Sequence, residues 1–253
     1  MLKEKRQDLI VEMVNDKDLI EVSDLTTTLE VTEMTIRRDL KELEGKGLLK
    51  RVHGGARKIK SISNVEYSNA EKKDKNITQK KYISKQISEI LKEDDIVFFG
   101  AGTTIEFVPE YIGEKRLKAF TNSLYLFNEL LSIDTIDLKL IGGSFRNITG
   151  AFVGPMAVES IKNLRFRKAF IGVNGINDNN AFTYNEDEGY LQKLVLDNSI
   201  EKYLVADSSK IGVEDFYSFY NIDEVNIITD DKLSKQDLKS LKKYTKVINW
   251  WIS

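Results

Sequence analysis

The chain has no cysteine, so neither a disulfide nor a thiolate metal site is open to it. Its one histidine, His53, also excludes a cluster of imidazole ligands and any catalytic pair of histidines. No apolar run approaches the roughly 18 residues of a membrane span, and no signal peptide is recognisable, so a soluble, cytoplasmic protein is expected. Internal repeats and low-complexity tracts are missing too, and nothing in the sequence asks for a cofactor or a metal. A net charge of −2 argues against a protein that binds polyanions over its whole surface.

What is present is a local contrast of charge. From Glu33 to Lys60, nine Lys and Arg stand against four Asp and Glu, and local charge sets the field at a docking surface. Within this stretch Ile36, Leu40 and Leu43 recur at helical spacing and share one face. Met34, Arg38 and Lys41 then point the opposite way, with Thr35 and Arg37 on the flanks. Thr32 suits the N-cap, and Gly45 and Gly47 can stop the helix. Leu48 to Val52, the turn signal Gly54–Gly55, and Arg57 and Lys58 then read as a basic hairpin. A helix with a cationic outer face beside a cationic ribbon suits a DNA duplex, the helix in the major groove and the ribbon along phosphates. A solvated surface helix is the plainer alternative; the placement of both arginines and both glycines, as a winged helix-turn-helix needs them, favours DNA.

Upstream, residues 3 to 14 place Leu9, Ile10, Met13 and Val14 on one stripe, broken at Asp16–Lys17–Asp18. Leu19 to Val22 is short and extended, and Ser23 or Asp24 can cap a second helix carrying Leu25 and Leu29. Residues 1–58 are thus expected to form a small winged-helix domain of three helices and a two-stranded wing. Residues 59–75 are polar and read as linker, with a short strand near Val65–Glu66–Tyr67.

Residues 76–253 change character. A helix carrying Tyr82, Ile83 and Ile87 is followed by β-rich runs at 96–99, 117–121, 137–141, 168–173, 202–206, 224–229 and 246–250. Helix candidates alternate with them, near 104–112, 123–132, 155–163, 187–199 and 232–244. Such alternation predicts an α/β fold with a mostly parallel sheet and helices on both faces. Ligands of such sheets bind beyond the carboxyl ends of the strands. The loops to consider are Gly100–Thr104, Thr121–Ser123, Gly142–Ser144, Gly172–Gly175 and Ala206–Lys210. Small residues let backbone amides close on an anion, Lys210 can balance a phosphate, and Asn122 and Asp207 can bond hydroxyls. Turn chemistry explains any one loop equally well; five together suggest a pocket for a small phosphorylated polyol. Pro109 is expected to kink or end the helix after the first loop. Glu186, Asp187 and Glu188 fall at a helix start, where the dipole alone explains carboxylates.

The runs TIRRDL, LEGKGLLKR and HGGA, and further on FFGAGTT, TNS, LIGGSFRNITGAFVGP, RKAFIGVNGI and VADSSK, resemble the DeoR family of bacterial regulators over nearly the whole chain. The resemblance implies a winged helix followed by a Rossmann-like effector domain resembling ribose-5-phosphate isomerase. It implies DNA contacts by Thr35, Arg37, Arg38, Arg51, His53, Gly54 and Gly55, to which the helix geometry adds Lys41. It also implies an effector pocket at Gly102, Thr103, Thr104, Asn122, Gly142, Gly143, Glu188 and Lys210. The function implied is a homo-oligomeric repressor, dimer or tetramer, of a sugar operon of the lactose and tagatose 6-phosphate type, released from operator DNA by a sugar phosphate. Two positions depart from the family pattern: Gly189, where alanine is usual after the glutamate, and Pro109, in a helix that is usually continuous. A sugar-phosphate isomerase with an accessory module is the alternative, with Glu188 its only reasonable base; a protein–protein adaptor would show an apolar patch in place of Arg37, Arg38 and Lys41.

Overall fold

The computed structural model describes residues 1–17, 19–52, 54–58 and 66–249. The chain forms two compact units, Met1–Ser61 and Ile62–Ser253.

In the first unit, α1 (Lys3–Lys17), β1 (Leu19–Glu21), α2 (Val22–Leu29) and α3 (Glu33–Gly45) precede β2 (Lys50–Val52) and β3 (Gly55–Arg57). Ile36, Leu40 and Leu43 join Ile10, Val14, Leu25 and Leu49 in one apolar core, as the helical spacing requires. Thr32 caps α3, its hydroxyl accepting from the Thr35 amide at 3.4 Å. The other end closes when the amides of Gly47 and Leu48 return to the carbonyls of Glu44 and Leu43. The helix expected to start at Ser23 or Asp24 instead starts at Val22, which is buried and whose amide reaches the Gly54 carbonyl at 2.8 Å. The wing also gains a third strand, because β3 pairs antiparallel with both β1 and β2. Gly55 is the residue that permits this: a Cβ there would stand 2.2 Å from the Ile20 carbonyl oxygen.

One polar contact in this unit is invisible to hydrophobic periodicity. Asp39, almost wholly buried on α3, accepts from Arg6 Nε at 2.6 Å and Arg6 Nη2 at 3.3 Å, with Gln7 Nε2 at 3.4 Å. The bonds to Asp39 hold the Arg6 guanidinium above its ordinary pKa. The pair fixes α3 against α1.

The second unit opens with α4 (Asn69–Lys73) and α5 (Ile77–Ile90), then β4 (Asp95–Phe99), β5 (Leu117–Thr121), α6 (Leu124–Leu130) and β6 (Ile136–Leu140). A hairpin of β7 (Ser144–Arg146) and β8 (Ala151–Val153) leads to α7 (Pro155–Ile161) and β9 (Phe166–Gly172). Then come β10 (Gly175–Asn177), β11 (Asn180–Thr183), α8 (Glu186–Asp197), β12 (Ser199–Val205), β13 (Tyr217–Asn221), β14 (Asn226–Ile228), α9 (Lys235–Leu241) and β15 (Val247–Ile248). Seven strands make one sheet in the order β15-β14-β12-β9-β4-β5-β6, every pairing parallel. They are the seven β-rich runs of the sequence. Alternation along β4 divides the core: Val97 and Phe99 face α5 and α6, whereas Phe98 faces α7, α8 and α9. Phe99, Phe170 and Tyr203 stack across β4, β9 and β12, with centroids 5.6 and 5.0 Å apart.

The differences from expectation are local. The helix expected at 104–112 is a 3-10 turn, Ile105–Glu110, with Pro109 inside it. The hairpin β7–β8 and the small antiparallel sheet β10-β11-β13 are additions. Glu66 and Tyr67 form no strand, Val65 lies outside the described residues, and much of the expected linker is α4 and its cap. Ser68 and Glu71 make a reciprocal capping box there, with the Ser68 amide 2.7 Å from Glu71 Oε2.

Replacing Asp39 by alanine strands the Arg6 charge against the core, and we expect it to destabilise the first unit by about 3 kcal/mol. Chemical denaturation of the full chain checks this as an earlier transition of that unit; an unchanged profile would contradict the account of the pair.

Candidate functional site

The chain begins its sheet in the middle. It runs β4, β5, β6 toward one edge, then returns to β9 on the other side of β4 and proceeds to β15. The loops after β4 and β9 therefore diverge, and a crevice opens where the strand order reverses. Gly102, Thr103 and Thr104 line it from one side, Gly172 and Asn174 from the other, and Asp207 and Lys210, after β12, form a third wall.

Local folding prepares the first loop for an anion. The Gly100 amide bonds Phe170 O at 2.9 Å and the Ala101 amide bonds Asn122 Oδ1 at 3.2 Å. The amides of Gly102, Thr103 and Thr104 make no hydrogen bond among the described residues, so three consecutive donors remain.

The roof comes from the strap that the sequence suggested was linker. Asn69, Lys72, Lys75 and Asn76 all line the cavity, as does Lys80 on α5. Lys80 Nζ donates to the carbonyls of Lys72 and Lys73 and so pins the end of α4. Asn69 donates to Glu106 Oε1 at 2.7 Å, Asn76 to Asp207 Oδ1 at 3.1 Å, and Lys72 to Asn174 Oδ1 at 3.2 Å. Burial, followed by the neighbouring Lys210 charge, pulls the Lys72 pKa below the usual lysine range; burial does the same to Lys80. Lys72, Lys75, Lys80 and Lys210 face two acids, Glu188 and Asp207, so the lining is cationic on balance. One oxygen of each acid is occupied. Glu188 Oε1 accepts from Arg146 Nη1 at 2.8 Å and from the Thr149 hydroxyl; Asp207 takes Asn76 and the Ser209 amide. Arg146 also forks onto Glu66 at the start of the strap, at 2.7 and 3.1 Å. Burial opposes its charge, but the Glu66 bonds and the field of Glu188 outweigh that and raise its pKa.

Of the expected pocket residues, Gly102, Thr103, Thr104, Glu188 and Lys210 are brought together, whereas Asn122, Gly142 and Gly143 do not line the cavity. Asn122 is buried behind the first loop, tying Ala101 to the Phe152 carbonyl. The two glycines follow β6, two strands from β4 and thus roughly 10 Å off. A Cβ at Gly143 would lie 2.5 Å from Val153 O, so the glycine serves the hairpin that delivers Arg146 and Thr149. Lys72, Asn174 and Gln192 were not anticipated as individual lining residues, and the Ser68-x-x-Glu71 cap was the overlooked sign of order in the strap. Gly189, one residue past Glu188, has the Tyr217 ring against it: a Cβ would meet it at 2.5 Å.

In the first unit, Arg37, Arg38 and Lys41 are exposed on α3, and Met34 beside them is 81% exposed. Arg37 Nε is held by Glu33 at 2.8 Å, while Arg38 and Lys41 have no hydrogen bond or ion pair among the described residues. Thr35 is half-buried, its hydroxyl 3.0 Å from that of Thr32. Arg51 is exposed on β2, its amide bound to Glu44 Oε1 at 2.8 Å, which ties the wing to α3. Gly54 is exposed at the turn; Gly55 is buried against β1, so its part is structural; His53 lies outside the described residues.

Residues 6–62 match the DeoR-like helix-turn-helix domain, and residues 75–232 match the DeoR C terminal sensor domain. The lactose phosphotransferase system repressors of Streptococcus mutans serotype c and Staphylococcus aureus strain N315 are each 39% identical over 251 residues, covering 98% of this chain and 100% of the relative. Among solved structures, ribose 5 phosphate isomerase A from Neisseria gonorrhoeae aligns over 52% of each chain at 18% identity, with a TM-score of 0.39. The ribose 5-phosphate isomerase of Methanocaldococcus jannaschii aligns over 54% of this chain and 55% of that one at 17% identity, with a TM-score of 0.40.

Gly189→Ala puts a methyl group into the Tyr217 ring and is expected to cost about 1–3 kcal/mol. Thermal unfolding of the single variant beside the double variant that also carries Tyr217→Ala checks the cause: the second change should cancel part of the loss.

Proposed function

The chain belongs to the DeoR family of bacterial transcriptional regulators, and from that premise we propose that it represses a sugar-catabolic operon and lets go of its operator when a phosphorylated sugar enters the crevice of the second unit. The observation that carries this reading is the cationic lining at the switch point, roofed by a strap from the end of the unit that the DNA-binding unit leads into. A phosphate near neutral pH carries close to two negative charges and is best met by amide donors and fixed cations. The free amides of Gly102 to Thr104 and the ammonium groups of Lys72 and Lys210 supply both. The names of the relatives support a sugar of the lactose pathway, and tagatose 6-phosphate is the leading candidate.

The effector acts through its preference between two arrangements of the strap. A ligand held by Lys72 favours the strap closed, and the strap is continuous in sequence with the chain from the winged helix. A tenfold loss of operator affinity needs a difference of only about 1.4 kcal/mol between the arrangements. Catalysis is not part of the reading. Isomerisation needs a base beside the substrate carbon, and Glu188, the one acid with a case for that role, is tied into an ion pair with Arg146.

On DNA, Arg38 and Lys41 face the major groove while Lys50 and Arg51 follow phosphates. A single small module gives limited specificity, so a homo-oligomer, dimer or tetramer, reads paired half-sites through an interface on the second unit. Light scattering at micromolar concentration checks this, and a monomer that still binds one operator tightly would contradict it.

A gel shift on the protein's own upstream region, repeated with a panel of sugar phosphates, tests the whole reading. Arg38→Ala should cost about 1–3 kcal/mol and relax base preference, whereas Lys50→Ala should weaken all sequences alike and flatten the salt dependence. Lys210→Ala and Lys72→Ala should weaken the sugar phosphate while sparing operator affinity without it. If both variants respond to the effector as the wild type does, the lysines are not its anchors.

A further inference from the structure

Among the residues that line the cavity, one carries an acceptor that the protein itself does not use. Gln192 lines it from α8, one helical turn beyond Glu188 and on the same face. Its Nε2 donates to the Gly172 carbonyl at 3.4 Å, which fixes which way the amide faces: reversing it would set oxygen against oxygen. Gln192 Oε1 is thereby held as an acceptor, buried, and no donor of the described residues reaches it. Glu188 also has an oxygen to spare, because Arg146 and Thr149 both go to its Oε1 and its Oε2 accepts nothing among the described residues. A buried acceptor in a native protein normally has a donor.

Resting on the effector reading above, we propose that Gln192 chooses the ligand: its Oε1, covered in this structure, is uncovered on binding and accepts a hydrogen bond from a hydroxyl of the sugar, with Glu188 Oε2 taking a second. The class of donor follows from the surroundings. An ammonium group would face four lysines across the cavity and is repelled, whereas a hydroxyl donates without charge. Two acceptors a helical turn apart also require more than one hydroxyl. The lysines and the amide loop hold the phosphate, and α8 reads the carbon chain. Loss of a hydrogen bond to a buried group of this kind is worth about tenfold in affinity.

The test uses the full chain and calorimetry. A panel of aldose and ketose phosphates, tagatose 6-phosphate included, identifies the tightest-binding member; its monodeoxy analogues and the variant Gln192→Met, which keeps the length and loses the acceptor, complete a cycle. The expected result is a roughly tenfold loss for the variant with the parent sugar phosphate. One deoxy analogue should lose as much on the wild type and nothing further on the variant. Undiminished binding by the variant overturns the role of Gln192, as does equal loss for the parent and every analogue, while the sugar-phosphate reading survives. An unchanged thermal unfolding profile of the second unit reports that the variant folds; if it does not fold, the analogue series on the wild type decides, and full affinity for every analogue overturns the inference. Absence of binding by the whole panel overturns this inference and the effector reading together.

Discussion

A parallel sheet that starts from its middle strand must turn round, and where it turns the neighbouring connections leave in opposite directions. In the second unit that happens between β4 and β9, and nothing in the backbone can close the gap. The two strands are instead clamped at both ends. Phe99 stacks on Phe170 near the crevice, and at the far ends Lys168 Nζ lies 2.6 Å from Asp95, both side chains almost wholly buried. A gap with rigid edges is a site whose shape is decided before any ligand arrives, which limits the cost of ordering on binding.

The lining of that gap is completed by a segment outside the sheet. The strap brings Lys72 and Lys75 over the crevice, and Lys80 on α5 holds it there by two backbone carbonyls. Arg146 stands between Glu66 on the strap and Glu188 in the lining, so a change in either acid's environment is felt by the other through one guanidinium. The lining of the cavity and the start of the strap therefore share one ion-pair network.

The regular parts of this architecture were legible because each strand and helix meets one apolar environment along one face. The seven β-rich runs sit where the sheet needs them, and Ile36, Leu40 and Leu43 lie inward as their spacing requires. The strap defeated that reasoning for the opposite reason: its partners are a polar cavity, so its composition is that of a linker, and only Ser68 and Glu71 betray a helix start. Gly55 was read as part of a turn and Asp39 only as one charge among several, although each is buried for its own reason. Strand order was not available from the pattern of elements, and without it the loop after β6 looked as close to the crevice as the loop after β4.

The charges on α3 have separate fates. Asp39 is locked inward to Arg6 and Gln7, whereas Met34, Arg38 and Lys41 on the outer face hold up no part of the core. Selection can therefore rewrite the outer positions without renegotiating how the helix is held. On the DNA contacts proposed above, a copy of such a gene could acquire a new regulon in a few substitutions while its second unit stayed as it was, and a laboratory wishing to redirect this protein would begin at the same positions.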